Sequence, residues 1–404
     1  MPTPGKPPVW TMALLIAGCA VGAGILALPV QTGLAGLAPA GVGMVVVWAV
    51  LLASAWVLAR LQLAGGDLDA DLPTLYHRHL GPWGKWLAVV GYLIIYYGIL
   101  VAYLAGAASV LAHLLDLPQE QPWLLLGFFV AVTGLALFSL ELVRRGNALL
   151  MALLLASFVF LIWQAGRHIE PQRLLRADWP LLPSSIPLIV TTLAYHNLIP
   201  VVCRALDGQA HLVKRALLLG SSLPLLVCLV WMMVVVGSLP LTGEPFSLYQ
   251  ACQANEPATV PLACSLNTAT VATAGLIFSL CAIITSYLPV SVALMAFLGD
   301  LLEPVLPQSS RALRALLVFG PPLAVVYLYP NLFLTALDVV GGLGVGILYL
   351  LLPALMLLRN PGPLGRFAGW AGWGLLVLAL GFLALELQQE LGWLSLGPGS
   401  EFWK

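Results

Sequence analysis

Three polar residues stand in a row, Tyr195, His196 and Asn197, inside a largely apolar run from about residue 185 to 206. A phenol, an imidazole and a carboxamide supply hydrogen-bond donors and acceptors, and the imidazole exchanges a proton near neutral pH. Ala194 precedes the trio and Pro200 follows about one turn later, where its missing amide interrupts a helix. A second segment of this kind is Gly22-Ala-Gly-Ile-Leu-Ala-Leu-Pro29, in the apolar run 9–33. Gly18, Gly22 and Gly24 tolerate unwound backbone, and Pro29 removes another donor. If the backbone opens there, amides of Ala23, Gly24 and Ile25 face a ligand at the positive end of the following half-helix and suit a carboxylate. Carbonyls of Cys19, Ala20 and Val21 suit an ammonium group or a metal cation. This is the chemistry of holding a zwitterion without covalent change. The competing reading of the glycines is close helix packing, which small residues also permit.

Four more residues could serve such a site. Tyr92, Tyr96 and Tyr103 share one helical face, and Tyr96 falls near mid-span rather than in the interfacial belt where tyrosines anchor. It is either a substrate-facing phenol or bundle packing with an internal hydrogen bond. Thr285 and Ser286 lie deep in Ile283-Ile-Thr-Ser-Tyr287, where their hydroxyls either coordinate a small cation such as sodium beside Ala20 or bond the preceding turn. Asp338 reads as the only acid well inside a span, and a buried carboxyl without a basic partner tends to hold its proton. That suits proton coupling, a neutral structural acid or a place near an outer vestibule. His196 likewise has three readings: proton carrier, substrate partner, or histidine satisfied within the protein.

The elements that must position these groups are membrane helices. Apolar residues make up 61% of 404 positions and charged residues 8%, against about half and a quarter in soluble domains. Eleven apolar runs are long enough to span, near residues 9–33, 39–62, 84–115, 122–140, 146–166, 185–206, 212–240, 266–299, 311–328, 331–358 and 366–389. The first is expected to be retained rather than cleaved as a signal peptide. With the N-terminus inside, thirteen of the 17 Lys and Arg fall on the cytoplasmic side, so the C-terminus is expected outside. The exception is the outer loop after the fifth run, which holds Arg167, Arg173 and Arg176. Net charge is zero, with no basic face for nucleic acid. No Gly-x-x-x-x-Gly-Lys-Ser/Thr nucleotide loop is present.

Five spans separate the two interrupted runs, so five-helix halves 9–166 and 185–358 enter the bilayer from opposite sides, with 366–389 as an additional helix. Such inverted repeats place a transport site where the breaks meet. The loop 63–83 carries Asp67, Asp69, Asp71, His77 and His79, either a metal site or, as its Gly and Pro favour, a solvated connector. Cys252 and Cys264 share an outer loop and are either a disulfide or two free thiols.

At these residues the chain resembles the amino acid, polyamine and organocation superfamily, and within it the bacterial permeases for tryptophan and tyrosine. The resemblance rests on Gly22 to Pro29 and on Ala194-Tyr-His-Asn-Leu-Ile-Pro200, similar to a family Phe-Gly-Phe-His followed by Ile-Pro. It extends through Gly220-Ser-Ser-Leu-Pro224 with Trp231 and Gly237, Ala282 to Tyr287 leading to Phe297 and Asp300, and Tyr329-Pro-Asn-Leu-Phe to Leu352-Pro-Ala-Leu. It implies a leucine-transporter-type fold and proton-driven symport of aromatic amino acids across a bacterial inner membrane, by a monomer without a cofactor. Two departures stand out: Ala194 replaces a family glycine, and Asp338 lies in a stretch that is uncharged there. Other readings are a proton- or sodium-coupled transporter of small neutral amino acids, a membrane enzyme centred on His77 and His79, and a transporter-like sensor.

Overall fold

Backbone inside a bilayer has no water to bond, so apolar runs of this length must satisfy their amides internally. The computed structural model is accordingly helical, with no strand among the described residues. These are residues 8–391 apart from 21, 23, 116, 118–120, 139, 244–245, 304–305, 307–309, 361–364 and 366–367, and apart from the side chains of 114, 138, 140–145, 147, 148 and 390. Val21 and Ala23 of the expected site therefore lie outside the described residues, as do Lys6, Arg366, Lys404 and the side chains of Arg144 and Arg145.

The order is α1 Val9–Ala20, α2 Gly24–Thr32, α3 Leu37–Ala64, α4 Leu72–Leu80, α5 Pro82–Leu114, α6 Pro122–Phe138, α7 Leu140–Gly166, the single turn α8 Pro171–Leu174, α9 Leu182–Leu193, α10 Ile199–Ala205, α11 Ala210–Ser238, α12 Leu248–Gln253, α13 Thr259–Leu266, α14 Ala269–Leu302, α15 Arg311–Leu328, α16 Phe333–Val339, a π-helical stretch Val340–Leu351, α17 Leu352–Arg359 and α18 Ala368–Glu390. Among the described residues, nine segments are long and apolar enough to cross a membrane. α1 and α2 make a tenth if read together as one span bent by 58°. The expected eleventh, α6, is 17 residues, at the lower end of what spans about 30 Å of hydrocarbon.

The sixth run breaks where its sequence implied. α9 stops at Leu193, Ala194 is extended (φ −76°, ψ 133°), and a single 3₁₀ turn at His196–Leu198 restarts the helix as α10. Expected as one helix, the tenth run instead carries twelve residues of π-helix.

Interior prolines leave a pattern of repaired carbonyls. In an α-helix each proline deprives the carbonyl four residues earlier of its donor, and in three spans a neighbouring helix supplies a replacement. Pro29 frees the Ile25 carbonyl, which accepts from Trp231 Nε1 at 2.9 Å. Pro321 frees that of Leu317, which accepts from the Tyr97 hydroxyl at 2.8 Å. Pro353 follows the π-helical stretch, whose bonds reach five residues back, and so frees the Leu348 carbonyl, which accepts from the Tyr76 hydroxyl at 2.6 Å, while the Tyr349 carbonyl beside it accepts from the Ser54 hydroxyl. Spans 1 and 7, 3 and 9, and 2 and 10 are thus pinned in register by bonds that helices alone could not make.

The arginines that broke the charge asymmetry have local partners. Arg173 donates to the Ser238 carbonyl at 2.7 Å and to Glu170 at 2.8 Å, Arg176 pairs with Asp178 at 3.2 Å, and Arg167 sits 4.8 Å over the Trp163 ring.

Candidate functional site

The two breaks touch. Cys19 at the end of α1 places its Sγ 3.8 Å from Asn197 Oδ1 in the restarting turn of span 6. Both residues are accessible. A Cβ added at Gly18, one residue earlier, would meet nothing within 4 Å, so open space continues past it. Farther along, Gly24 packs directly on span 6: a Cβ there would fall 2.8 Å from Thr192 Oγ1 and 3.1 Å from Thr192 Cα. Glycine at 24 is what lets α2 seat against α9.

Gly22 meets two other spans. A Cβ on it would lie 3.2 Å from Ser286 Oγ of α14 and 3.7 Å from the Tyr103 hydroxyl of α5. Thr285 spends its proton on its own helix, donating to the Cys281 carbonyl at 2.7 Å. Pro289 meanwhile frees the Thr285 carbonyl by the rule already seen. Of the expected pair, Ser286 is therefore the one whose hydroxyl is shown at the break in span 1.

Span 6 directs its other polar side chains inward. His196 is fully buried, its ring stacked on Tyr349 (4.5 Å between centroids, 8° between planes) and on Tyr195 (5.3 Å). Its ring nitrogens make no hydrogen bond of good geometry, and the Leu51 backbone is the group that approaches. Tyr195 is buried toward Ser221, which itself accepts from Trp48 Nε1 at 3.0 Å. Of the expected polar trio, Asn197 alone is exposed. Ala194 is half-buried, while Ala20 and Ile25 are buried.

Tyr96 is half-buried, stacked on Tyr92 at 5.8 Å and tilted against Phe297 at 5.9 Å. Tyr349 lies within electrostatic range of both Tyr96 and Cys19. The rings thus form two groups, Tyr92 with Tyr96 and Phe297, and Tyr349 with His196 and Tyr195. Tyr349 and Thr192 were missed in the sequence.

Asp338 does not sit in the breaks. Its Oδ2 accepts from Gln31 Nε2 at 2.8 Å, and the same amide donates to the Ser184 carbonyl at 3.0 Å. One side chain of α2 therefore ties α16 to the start of α9. The loop after α12 adds two clasps: Ala258 N donates to the Leu26 carbonyl at 2.7 Å, and Thr335 N to Asn255 Oδ1 at 3.2 Å. α2 is buried from Gly24 to Val30, whereas α1 exposes Thr11, Leu14, Leu15, Gly18 and Cys19.

Asp338 is not the only acid inside a span. Glu386 of α18, read in the sequence as part of a plain additional helix, is 1% exposed.

Outside the spans, Asp67 pairs with Arg78 at 2.8 Å, which holds its carboxyl below the usual range. Asp69 pairs with Arg204 at 2.9 Å, Asp71 caps α4 through Thr74 N at 2.9 Å, and His79 Nδ1 lies 3.0 Å from the Leu75 carbonyl. These groups are committed to separate partners, and no cluster of three potential metal ligands occurs among the described residues. Cys252 and Cys264 are free thiols, and Cys264 Sγ lies 2.8 Å from His113 Nε2. Cavities of about 420 Å³ lie away from the breaks, one between α7 and α14 and one beside His113 and Cys264.

Comparison with known proteins agrees with this architecture. The profile of the tryptophan/tyrosine permease family matches residues 6–385. The tyrosine-specific transport system 1 of Haemophilus influenzae is 28% identical over 81% of this chain and 82% of its own length. A tryptophan-specific transport protein of Pseudomonas aeruginosa is 26% identical over 93% of each chain. Glutamine transporter 2 of Aliivibrio fischeri is 23% identical over 56% of this chain and 60% of its own. With a family match over nearly its whole length and its helices built for a bilayer, the chain belongs to the tryptophan/tyrosine permease family, whose members are transport proteins and not enzymes.

Proposed function

We propose that this protein is a secondary active transporter that takes up aromatic amino acids with protons, by alternating access around the joined breaks of spans 1 and 6. The observation that carries the reading is the contact of Cys19 with Asn197, which joins the two breaks. Backbone of the first break, Cys19 to Ile25, holds the amino acid's charged groups, and Asn197, Tyr96 and Tyr349 meet its ring. Tyr195 and His196 form the packed floor behind them.

The eleven spans form two inverted five-helix repeats, 9–166 and 185–358, with α18 added. Three features support this. The broken spans stand five apart; α5 and α14, the two longest helices at 33 and 34 residues, stand five apart as well. The short helices between spans also correspond, α4 before the third and α12 with α13 before the eighth. The N-terminus is cytoplasmic and the C-terminus outside, in a bacterial cytoplasmic membrane, where the protein acts as a monomer. In that orientation Gln31, Asp338 and Ser184 close the outer side while Cys19 and Asn197 open inward, and Asp338 is a coupling carboxyl.

Reconstituted protein should concentrate labelled tryptophan or tyrosine under an imposed inward proton gradient, with competition by either aromatic amino acid but not by alanine. Uptake driven by a sodium gradient alone would instead favour the second reading, a sodium-coupled neutral amino acid transporter. That reading is favoured by Ser286 at the Gly22 break and the likeness to a glutamine transporter.

A further inference from the structure

Two cations from different spans approach one indole. The Arg60 guanidinium carbon lies 5.7 Å from the centre of the Trp56 ring, and Lys214 Nζ lies 5.8 Å from the same ring. Trp56 and Arg60 stand one turn apart on α3, and Arg60 is four residues from the helix end at Ala64. Lys214 is four residues into α11 from Ala210. With 28 and 29 residues, α3 and α11 are about 42 and 44 Å long, the thickness of a bilayer together with its headgroups. Charges about 6 Å inside those ends lie at the level of the headgroups, which is also where tryptophan prefers to sit. The two helices are packed neighbours, and two turns deeper Trp48 Nε1 donates to Ser221 Oγ at 3.0 Å, which fixes their register.

Positive charges gathered at one ring repel each other, whereas an anion between them is attracted by both. The acids of the adjoining loops do not balance them. Asp67 pairs with Arg78, Asp69 pairs with Arg204, and Asp71 caps α4. Asp207, in the turn between α10 and α11, offsets at most one charge of Arg60, Lys214 and Arg215, so two positive charges remain. Deeper along α11 the exposed face turns apolar. Leu218 and Leu219 stand one turn beyond Lys214 and Arg215, and Leu226 about two turns further, and all three are exposed on a helix built to span.

We propose that the edge shared by α3 and α11 is a binding site for an anionic phospholipid. Its phosphate lies between Arg60 and Lys214, its glycerol over Trp56, and its acyl chains along Leu218, Leu219 and Leu226. Basic groups set between spans at this level recognise anionic headgroups, and a guanidinium offers phosphate two parallel hydrogen bonds. Free phosphate would meet the same cations but gain nothing from the leucines. α11 also supplies Trp231 to the Ile25 carbonyl, and its Gly220 lets α1 pack closely at Ile16, so the lipid steadies the helix on which the first span rests.

The test is native mass spectrometry of the full-length protein in detergent micelles, titrated with phosphatidylglycerol to give the affinity of the first bound lipid. Phosphatidylglycerol should bind more tightly than phosphatidylcholine with the same chains. Lys214→Gln, at an exposed position, should weaken its binding about fivefold, and Lys214→Gln combined with Arg60→Gln about 25-fold, at about fivefold per basic residue. Lys85→Gln removes an exposed charge at the start of α5, on the same membrane face, and should leave the affinity unchanged. Equal affinity for the two lipids, unchanged affinity in Lys214→Gln, or an equal loss in Lys85→Gln overturns the proposal. Inorganic phosphate at the concentration of the lipid should displace none of it; displacement would assign the cations to a free anion and overturn the lipid site. Should the double variant not fold, the comparison of Lys214→Gln with Lys85→Gln decides.

Discussion

Trp231→Phe removes one hydrogen bond whose worth follows from the proline opposite. In the wild type, Pro29 leaves the Ile25 carbonyl without its helical donor, and Trp231 Nε1 replaces it at 2.9 Å. Phenylalanine keeps a ring among Phe158 and Phe278, whose centroids lie 5.6 and 5.7 Å from the indole, but strands the carbonyl. An unsatisfied buried carbonyl costs about 1–3 kcal/mol in general, and interhelical bonds in membranes average about 0.6 with a maximum near 1.7. A loss of about 1 kcal/mol is expected from the bond itself, with lost packing in addition. Pro29→Ala separates the two, because alanine restores an amide four residues from Ile25. Lost ring packing is common to both backgrounds and cancels, so a double-mutant cycle should show coupling of about 1 kcal/mol. The assay is equilibrium unfolding in mixed detergent micelles titrated with sodium dodecyl sulfate. If the two substitutions add to within about 0.3 kcal/mol, the carbonyl does not depend on Trp231 and the account of the break is wrong.

Gly24→Ala should lower uptake by more than about tenfold, because its Cβ meets Thr192 backbone as well as side chain. Gly18→Ala places its methyl in open space and should unfold no earlier than the wild type; equal uptake defects in the two would contradict the packing argument. Gln31→Leu loses both the Asp338 and Ser184 bonds and is expected to cost about 1–3 kcal/mol in the same micelle titration. An unchanged midpoint would show that this clasp carries no load. For the exposed Asp67–Arg78 pair, the folded carboxyl lies below its ordinary value, so its contribution is present above that value and fades as pH falls through the depressed one. The stability difference between wild type and Asp67→Asn should therefore shrink on acidification from pH about 6 toward 3, as carboxylates protonate near 4; a difference that grows would reverse the sign.

Much of the architecture was legible because bilayers impose length and composition: the apolar runs marked the spans, and Pro29 and Pro200 marked the interrupted ones. Burial direction was not. Tyr195, His196 and Asn197 are adjacent, but the extended Ala194 and the 3₁₀ turn send His196 toward Tyr349 and Asn197 toward Cys19, a choice fixed by tertiary packing rather than helical period. Glu386 escaped notice because it lies near the end of its run, where acids are usually solvated. Its burial depends on Gly342, 44 positions away in sequence. The π-helical stretch has no pattern of its own in a run where nearly every residue is apolar. Gln31 looked like a helix-end residue until Asp338 and Ser184 were placed around it.

The central claim is that substrate binds where the first and sixth spans are broken. Cys19 is an accessible thiol at that junction and reports on it directly. The rate of its alkylation by N-ethylmaleimide, followed by mass spectrometry of the Cys19 peptide, should fall severalfold with saturating tryptophan or tyrosine and stay unchanged with alanine. Alkylation at the same rate under aromatic amino acid concentrations that saturate uptake would place the substrate elsewhere.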